Sequence, residues 1–490
     1  MKLVAGLIAA GLTLGPAPAA ARADDPLVAD AGFGGAGLEG CRTDLRYLNQ
    51  LFGWQMSWQR EWQALGGASD DEIRAAITRW QGAPAALAAA ETALAATVRD
   101  PARAAPASVV ERVRAELDDL VRMLGAGAPP LRAGADPALV RQWTVLFAAR
   151  IAPAIAHYRD ALRRYRPGST AGLSGTADGP RCFRQSVRYF TSVDRPAAEI
   201  EAIGWRLLGE TEVELMRLYG VDRRRLPALL ARLRDTDEPG FTADRLTEMS
   251  RAAIERATAA MPRMFLGRAA HPVVVEALPA AAEASAAAGF YRPAQGDRPA
   301  AYVINRSRPR ERRLMAEVIA FHETLPGHHS QRALDLPAGE FSSGFLEGWA
   351  LYSEYVADEM HLYSGRLDRA GMMAKHLWAA SRLVVEPGLH LHGWTRARAI
   401  AFMRAHTALT DAEIAVEVDR YIATPGQSLS YMLGYERIRA ARTYAERRLG
   451  PRFDLRQFHQ VVLGPGSRSL ERMYADVVRW ADAGGPPARL

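Results

Sequence analysis

The sequence predicts a mainly α-helical protein that carries one small β-sheet. Apolar residues recur three and four positions apart over long stretches, which is the spacing of one face of a helix. The clearest helix follows Thr242, a residue type favoured at N-caps. Its apolar stripe consists of Leu246, Met249, Ala253, Ala257 and Met261. The pattern changes once, at two β-branched runs, 273–278 and 300–305, which predict strands. Between them, 291–293 and 296–299 are predicted to be turns.

The composition excludes several classes of protein. With 490 residues, 49% of them hydrophobic and 24% charged, the chain is too apolar to be disordered and too charged to be mostly membrane-embedded. Its net charge of +7 comes from arginine, because Lys2 and Lys375 are the only lysines. Apart from a short cluster at 306–313, the arginines are spread among carboxylates. No basic stripe with interleaved aromatics is present, which argues against a nucleic-acid partner.

Residues 1–23 resemble a secretory signal peptide. Lys2 supplies a positive start, 3–14 form a short apolar segment, and 21–23 form a small-x-small cleavage site. We therefore expect a periplasmic or secreted protein that is cleaved near Ala23, with an uncleaved anchor as the alternative. No later segment reaches the ~20 apolar residues of a membrane span, so no stable membrane span is expected.

Two cysteines, Cys41 and Cys182, remain after such a cleavage. In an oxidising compartment they would form one disulfide, and two separate buried thiols are the alternative. Two cysteines are too few for a Cys-rich zinc module. Any metal would therefore be held by histidines and carboxylates.

The histidines with metal-site spacing follow an apolar helical stripe. His322-Glu323 begins like the H-E-x-x-H motif of zinc peptidases, but Pro326 occupies the place of the second histidine. His328 lies six residues after His322, and an unbroken helix would turn it roughly 240° away. Pro326 followed by Gly327 disrupts helices. The residues form a metal site only if the helix breaks there and returns His328 toward His322.

A third ligand candidate is Glu347, with 18 residues between it and His328. This spacing resembles that of gluzincin metallopeptidases. Glu347 lies in the apolar run 344–351, where a buried carboxylate needs a cation or an arginine. Two imidazoles, one carboxylate and an open position form a catalytic zinc set, in which Glu323 would take a proton from the attacking water. The alternative is a hydrogen-bonded polar cluster without a metal.

Four segments together resemble a bacterial family of unknown function, number 885, which is grouped with the zincin-like metallopeptidases. These segments are 322–329, 347–352, 388–395 and 425–431. The resemblance runs in order from about Pro196 to the C-terminus. It implies a largely helical, two-lobed zincin-like fold with a deep cleft. The small sheet predicted from the runs at 273–278 and 300–305 would lie beside the active-site helix. The lobes would be 24–265, helical and N-terminal, and 266–490, carrying the metal site.

The resemblance also implies roles for individual residues. It carries over the zinc ligands and the base, which are His322, His328, Glu347 and Glu323. A zincin needs a donor to the oxyanion, for which Tyr431 is the first candidate and His390 the second.

Three further residues are implied as substrate contacts. Tyr302 and Asn305 lie where an edge strand would pair with an extended substrate. Gln427 lies in the same family segment as Tyr431. One departure from the family pattern, Glu386-Pro387 in place of Asp and a small residue, bears on the geometry around His390.

These observations predict an exported zinc-dependent metallopeptidase-like hydrolase that acts on a peptide or a small amide. One alternative is a zinc amidohydrolase that acts on a non-peptide amide. Another is a non-catalytic periplasmic binding or scaffold protein that retains a metal site. The intact Glu323 argues against the last alternative, because a structural site does not need a base.

Overall fold

A computed structural model describes residues 41–96, 101–236, 238–266, 272–279, 283, 287–296, 298–332 and 342–485. The described chain is mainly helical and contains one three-stranded sheet, which confirms the predicted secondary-structure class. The predicted signal peptide, 1–23, lies outside the described residues. Within the described part, no helix is both long enough and apolar enough to span a membrane.

The α-helices of the described residues are numbered in chain order. They are α1 Trp54–Ala64, α2 Asp70–Trp80, α3 Ala83–Ala96, α4 Ala107–Gly125, α5 Pro137–Leu146, α6 Ala152–Arg164, α7 Gly179–Thr191, α8 Ala197–Tyr219, α9 Leu226–Arg234, α10 Ala243–Met264, α11 Pro309–Arg312, α12 Ala316–Glu323, α13 His328–Arg332, α14 Ser343–Glu359, α15 Arg366–His390, α16 Arg396–His406, α17 Asp411–Ala423, α18 Leu429–Leu449, α19 Leu455–Leu463 and α20 Leu470–Asp482. A π-helical segment, Phe147–Ile151, joins α5 to α6.

Shorter elements complete the described secondary structure. The 3₁₀ helices are Thr43–Arg46, Leu65–Gly67, Pro101–Arg103, Leu173–Gly175, Arg223–Arg225 and Gly450–Arg452. The strands are β1 Val273–Ala277, β2 Gly289–Arg292 and β3 Ala300–Ile304. The helix predicted after Thr242 is α10, and the Thr242 side chain accepts a hydrogen bond from the backbone N–H of Arg245.

The described chain divides into two compact units. The N-terminal unit comprises 41–185 and Leu389–Thr395, and the C-terminal unit comprises Ser186–Gly388 and 396–485. The division comes earlier in the chain than the predicted one at 265/266. The reason is that α10 packs against α12 and α19, so the helices directly before 265 share a core with the residues that follow.

The N-terminal unit is built around aromatic side chains. Helices α1, α2 and α5 and the π-helical segment place large rings in contact, and all of these rings are buried. The cluster consists of Trp54, Trp58, Trp62, Trp80, Trp143 and Phe147. Rings of this size contribute much of the apolar area that stabilises such a unit.

A disulfide joins Cys41 to Cys182 within the N-terminal unit, with 6.2 Å between the Cα atoms. The first of the two alternatives for the cysteines is therefore confirmed. The bond ties the start of the described chain to α7.

The C-terminal unit is organised by close packing of α14 against α18. The approach depends on glycine, because a Cβ at Gly434 would overlap the carbonyl of Gly344 and the Cα of Gly348. Glu347 on α14 and Tyr431 on α18 lie on these tightly packed helices. The glycines therefore help to set the separation between the two side chains.

The sheet has the order β1–β3–β2, with β1 parallel and β2 antiparallel to β3. Two sequence predictions are wrong here. Tyr291 and Arg292 belong to a strand instead of a turn, because they pair with Tyr302 and Ala301 of β3. The strand that carries Tyr302 is central in the described sheet instead of at its edge. The predicted turn at 296–299 overlaps a tight pairing of Gln295 with Arg298.

Candidate metal centre

The helix that carries His322 ends at Glu323, as the Pro-Gly pair predicts. Thr324 leaves helical conformation, with φ −114° and ψ −112°. A Cβ at Gly327 would overlap the carbonyl of His322, so the tight return of the chain requires glycine there. Trp349 stabilises the turn, because its indole N–H donates to the carbonyl of Pro326 at 2.9 Å.

The break brings three candidate ligands together. His328 begins α13, and its ring centroid lies 4.9 Å from that of His322. The Oε2 atom of Glu347 lies 3.5 Å from Nε2 of His322 and 3.6 Å from Nε2 of His328. One donor atom from each residue lies within 4.8 Å of the other two, and all three side chains are buried. The predicted convergence of His322, His328 and Glu347 is therefore present in the structure.

The remaining ring nitrogens of the two histidines are held by other side chains. Nδ1 of His322 lies 2.6 Å from Oε1 of Glu354, and Nδ1 of His328 lies 3.0 Å from Oε1 of Gln331. Both partner atoms are hydrogen-bond acceptors, so each Nδ1 can donate to them while each Nε2 faces Glu347. Metal-binding histidines are commonly fixed by such contacts.

Glu354 is itself held by a cation. It is completely buried, and the ammonium of Lys375 lies 2.7 Å from its Oε1 atom. Burial opposes ionisation of Glu354, but Lys375 and His322 outweigh it and hold the pKa of Glu354 well below its usual range. Glu354 therefore remains an acceptor for His322.

The charge on Glu347 fits a metal ion. Burial opposes its ionisation, but the two imidazoles outweigh burial and hold the pKa of Glu347 well below its usual range. Its Oε2 atom is buried without a hydrogen-bond partner among the described residues. A buried carboxylate oxygen is costly to leave unsatisfied, and a cation between it and the two Nε2 atoms would satisfy it.

Glu323 is positioned beside the triad by the sheet. Its Oε2 atom accepts a hydrogen bond of 2.9 Å from the backbone N–H of Tyr291 in β2, and the carboxylate is 2% exposed. Strand β2 packs against α12, so the antiparallel pairing of β2 with β3 fixes the position of this donor. The arrangement leaves Glu323 fixed next to His322, one of the three candidate ligands.

A pocket opens beside the triad, and its lining includes His322, Glu323 and Tyr431. The ring of Tyr431 stacks on that of His322 with 6.3 Å between centroids. Among the described residues, no hydrogen bond reaches its hydroxyl. Burial, assisted by the charge of Glu347, raises the pKa of Tyr431 well above its usual range. The hydroxyl therefore keeps its proton and can donate it in a hydrogen bond.

The other predicted site residues have different surroundings. His390 belongs to the N-terminal unit, where its Nδ1 accepts from the backbone N–H of Leu173 at 3.2 Å and its ring stacks on Phe183. The amide nitrogen of Asn305 donates to the carbonyl of Glu283 at 2.8 Å, and its oxygen accepts from Ser307. These contacts are typical of structural residues.

Tyr302 and Gln427 are also engaged within the protein. Tyr302 is 2% exposed and packs against Gly289, where a Cβ would overlap its ring. The Gln427 amide oxygen accepts from Arg420. Their predicted role as substrate contacts remains a prediction.

Sequence reasoning assigned no role to Glu354, Lys375 or Tyr291. Glu354 follows Glu347 by seven residues, which is about two helical turns. The two glutamates therefore lie on one face of a helix, and this spacing could have predicted that Glu354 lies near the site. Lys375 carried a compositional signal as the only lysine after residue 2. Tyr291 acts through its backbone, so its side chain gave no indication of this contact.

Fold and site together define a mainly helical protein with a buried site of two histidines and a glutamate. The chain belongs to the family of bacterial proteins of unknown function DUF885, whose sequence profile matches residues 27–477. This finding confirms the resemblance to that family. The chain has no detectable relative among the curated proteins.

Two similar solved structures support the fold. One is a proposed lipoprotein from Colwellia psychrerythraea, 24% identical with a TM-score of 0.77, for which the match covers 89% of this chain and 80% of that chain. The other is a proposed lipoprotein of unknown function from Shewanella oneidensis, 17% identical with a TM-score of 0.62, covering 83% and 78% respectively. At these identities the likeness concerns the fold.

Proposed function

We propose that the protein is an exported zinc-dependent hydrolase of the zincin-like superfamily that cleaves peptide bonds by attack of water. The observation that carries this proposal is the buried set of His322, His328 and Glu347 with Glu323 fixed beside it. A purely structural site would have no use for a second buried carboxylate next to its ligands.

Zinc is favoured by the type of donor. Two neutral imidazole nitrogens and one carboxylate oxygen form a three-ligand set that is common in catalytic zinc sites. When bound, zinc would polarise the substrate carbonyl and lower the pKa of the attacking water.

The side chains of the site supply the remaining chemistry. Glu323 accepts a proton as the water oxygen bonds to the carbonyl carbon, and it returns this proton to the leaving nitrogen as the carbon–nitrogen bond breaks. The products are a carboxylic acid and an amine, so atoms and charge balance. The Tyr431 hydroxyl donates a hydrogen bond to the oxygen on which negative charge develops.

Export is supported by the first 23 residues, which have the charge, apolar length and cleavage site of a signal peptide. The disulfide between Cys41 and Cys182 agrees with an oxidising compartment. The two similar structures are described as lipoproteins, a class of exported proteins, which agrees with the same placement.

The proposal is tested by metal analysis and peptide hydrolysis on purified protein. We expect about one zinc per chain after reconstitution, its loss in His322→Ala, and retained zinc in Glu323→Gln with hydrolysis reduced about 10²-fold to 10⁴-fold. Glu317→Gln is the matched control, because it removes a buried carboxylate from the same helix that pairs with Arg256. Wild-type protein that binds no metal, or a Glu323→Gln variant that retains full activity, would contradict the proposal.

A further inference from the structure

Arg382 presents a fixed guanidinium to the pocket that adjoins the metal centre. The group lies 4.3 Å from the ring centroid of Trp378 and 4.6 Å from that of Tyr431. Its Nε donates to the Tyr421 hydroxyl at 3.0 Å, and its Nη2 donates to Oε2 of Glu417 at 3.0 Å. Among the described residues, no hydrogen bond or ion pair reaches Nη1. The side chain is 3% exposed, yet it lines the pocket.

The carboxylate that pairs with Arg382 is shared with a second arginine. Arg420 also pairs with Glu417, so two buried guanidiniums share one buried carboxylate. Burial raises the pKa of nearby Glu386 to about 7, and its carboxyl group accepts from the Gly426 N–H and the Ser428 hydroxyl. The pocket lining also includes the carboxyl groups of Glu311, Glu323 and Glu413, so an anionic ligand group would bind through direct hydrogen bonds to the open Nη1 edge of Arg382.

The position of Arg382 relates this anion to the metal centre. Tyr431 contacts both groups, with 6.3 Å from its ring centroid to that of His322 and 4.6 Å to the guanidinium carbon. One amino-acid residue spans about 3.8 Å between Cα atoms. The guanidinium carbon therefore lies within about 11 Å of the His322 ring centroid, a distance that about three residues of an extended peptide span.

We propose that Arg382 binds the C-terminal carboxylate of a peptide, so that the site removes residues from the carboxyl end. This inference rests on the proposed peptide hydrolysis and adds the substrate class to it. A guanidinium matches a carboxylate in shape and charge, and its fixation by Trp378 and Glu417 reduces the entropy lost on binding. Apolar side chains of Met315, Ile319 and Leu409 line the same pocket and provide room for the terminal side chain.

The first experiment measures binding instead of turnover. Calorimetry compares N-benzoylglycine with its primary amide, on zinc-loaded protein and on protein from which zinc has been removed. In the wild type we expect the carboxylate to bind about 10-fold to 100-fold more tightly than the amide in both forms. In Arg382→Met this preference should fall to about onefold.

Two further variants separate recognition from misfolding. Arg442→Met is the matched control, because Arg442 is also a largely buried arginine that pairs with a glutamate and a tyrosine, Glu359 and Tyr352. It should keep the preference. Arg382→Lys retains a positive charge without the planar fork, so it should keep part of the preference with an unchanged thermal transition. Equal binding of acid and amide by the wild type would overturn the proposal.

The second experiment identifies the source of the carboxylate. Hydrolysis is compared for a blocked dipeptide with a free C-terminus, for its C-terminal amide, and for an amide that carries a glutamate side chain. We expect kcat/KM to be at least about tenfold higher for the free acid than for its C-terminal amide. In Arg382→Met this preference should disappear, mainly because KM for the free acid rises. Preference for the glutamate-containing amide would assign Arg382 to an acidic side chain and overturn the C-terminal assignment.

The two experiments also separate this inference from the function on which it rests. Equal hydrolysis of acid and amide would leave peptide hydrolysis intact and overturn the role of Arg382. Absence of hydrolysis of every peptide, together with carboxylate binding that depends on Arg382, would overturn the proposed peptidase function and leave an anion site.

Discussion

Each candidate ligand in the metal centre is fixed by a second contact. Glu354 orients His322 and Gln331 orients His328, while Glu347 is oriented by the close packing of its helix. The sequence predicted the three ligands and the base because these residue types and spacings are local features. It did not identify Lys375 as the partner of Glu354, because the two are 21 positions apart on different helices and only packing joins them.

Replacing Glu354 is expected to weaken metal binding. Glu354→Gln keeps the shape but removes the charge that fixes the Nδ1 proton of His322, so zinc affinity should fall about 10-fold to 100-fold. Competition with a chelator of known affinity measures this change. Glu359→Gln, at the end of the same helix and paired with Arg442, should bind zinc as the wild type does. Unchanged affinity in Glu354→Gln would show that this contact does not contribute.

Metal binding is also expected to depend on pH through His328. Burial lowers the pKa of His328, but Glu347 outweighs burial and raises it above its usual value in the metal-free protein. Zinc requires a neutral imidazole, so affinity should fall about tenfold per pH unit below this raised pKa and level off above it.

Competition with a chelator between about pH 5.5 and pH 8.5 measures how zinc affinity changes with pH. His157→Gln, which removes an exposed histidine from the N-terminal unit, should leave the slope unchanged. Affinity that does not change across this range would exclude His328 as a ligand that must lose a proton.

At the scale of elements, the site depends on one broken helix and one pair of tightly packed helices. The break after Glu323 was predicted from Pro326 and Gly327, because these residues act on their own backbone. The packing of α14 on α18 was not predicted, since Gly434 matters only through its contacts with Gly344 and Gly348, which lie far away in the sequence. Local sequence patterns do not determine the order of strands in a sheet, which is why β3 was wrongly predicted to be an edge strand.

The packing of α14 on α18 can be tested at Gly434. In Gly434→Ala the added Cβ would overlap the carbonyl of Gly344, so the helices must separate. We expect the free energy of unfolding to fall by about 1–3 kcal/mol. Zinc affinity should also fall, because Glu347 moves with α14. Denaturant unfolding and zinc titration measure the two effects.

Gly209→Ala is the matched control for this substitution. It also lies within a helix, α8, but its added Cβ would meet no atom within 4 Å. The higher helix propensity of alanine should stabilise this variant by up to about 1 kcal/mol. Similar effects of the two substitutions would contradict a specific role for Gly434.

At the scale of the whole molecule, the chain forms two compact units that are not successive halves. Residues 389–395 return to the N-terminal unit while the chain on both sides belongs to the C-terminal unit. The predicted lobes, 24–265 and 266–490, assumed one crossing between units. Sequence periodicity identifies helices without saying which of them share a core.

The disulfide is expected to be a major source of stability for the N-terminal unit. It joins residues 141 positions apart, so its loss releases a long loop in the unfolded chain. Replacing both cysteines with serine should lower the free energy of unfolding by about 2–5 kcal/mol. Denaturant titration without reductant measures this difference. Reductant should destabilise the wild type and leave the double variant unchanged, and equal midpoints for both proteins would contradict the prediction.

The sequence by itself determined the helical class, the break at Pro326-Gly327 and the identity of the candidate ligands. Each follows from local physics: apolar spacing, backbone restriction by proline and glycine, and donor chemistry. Only the tertiary structure decided the order of the strands, the division between units and the convergence of Glu354, Lys375 and Arg382 on the site. These features join residues distant in the chain, and their energies depend on burial and packing that local patterns do not encode.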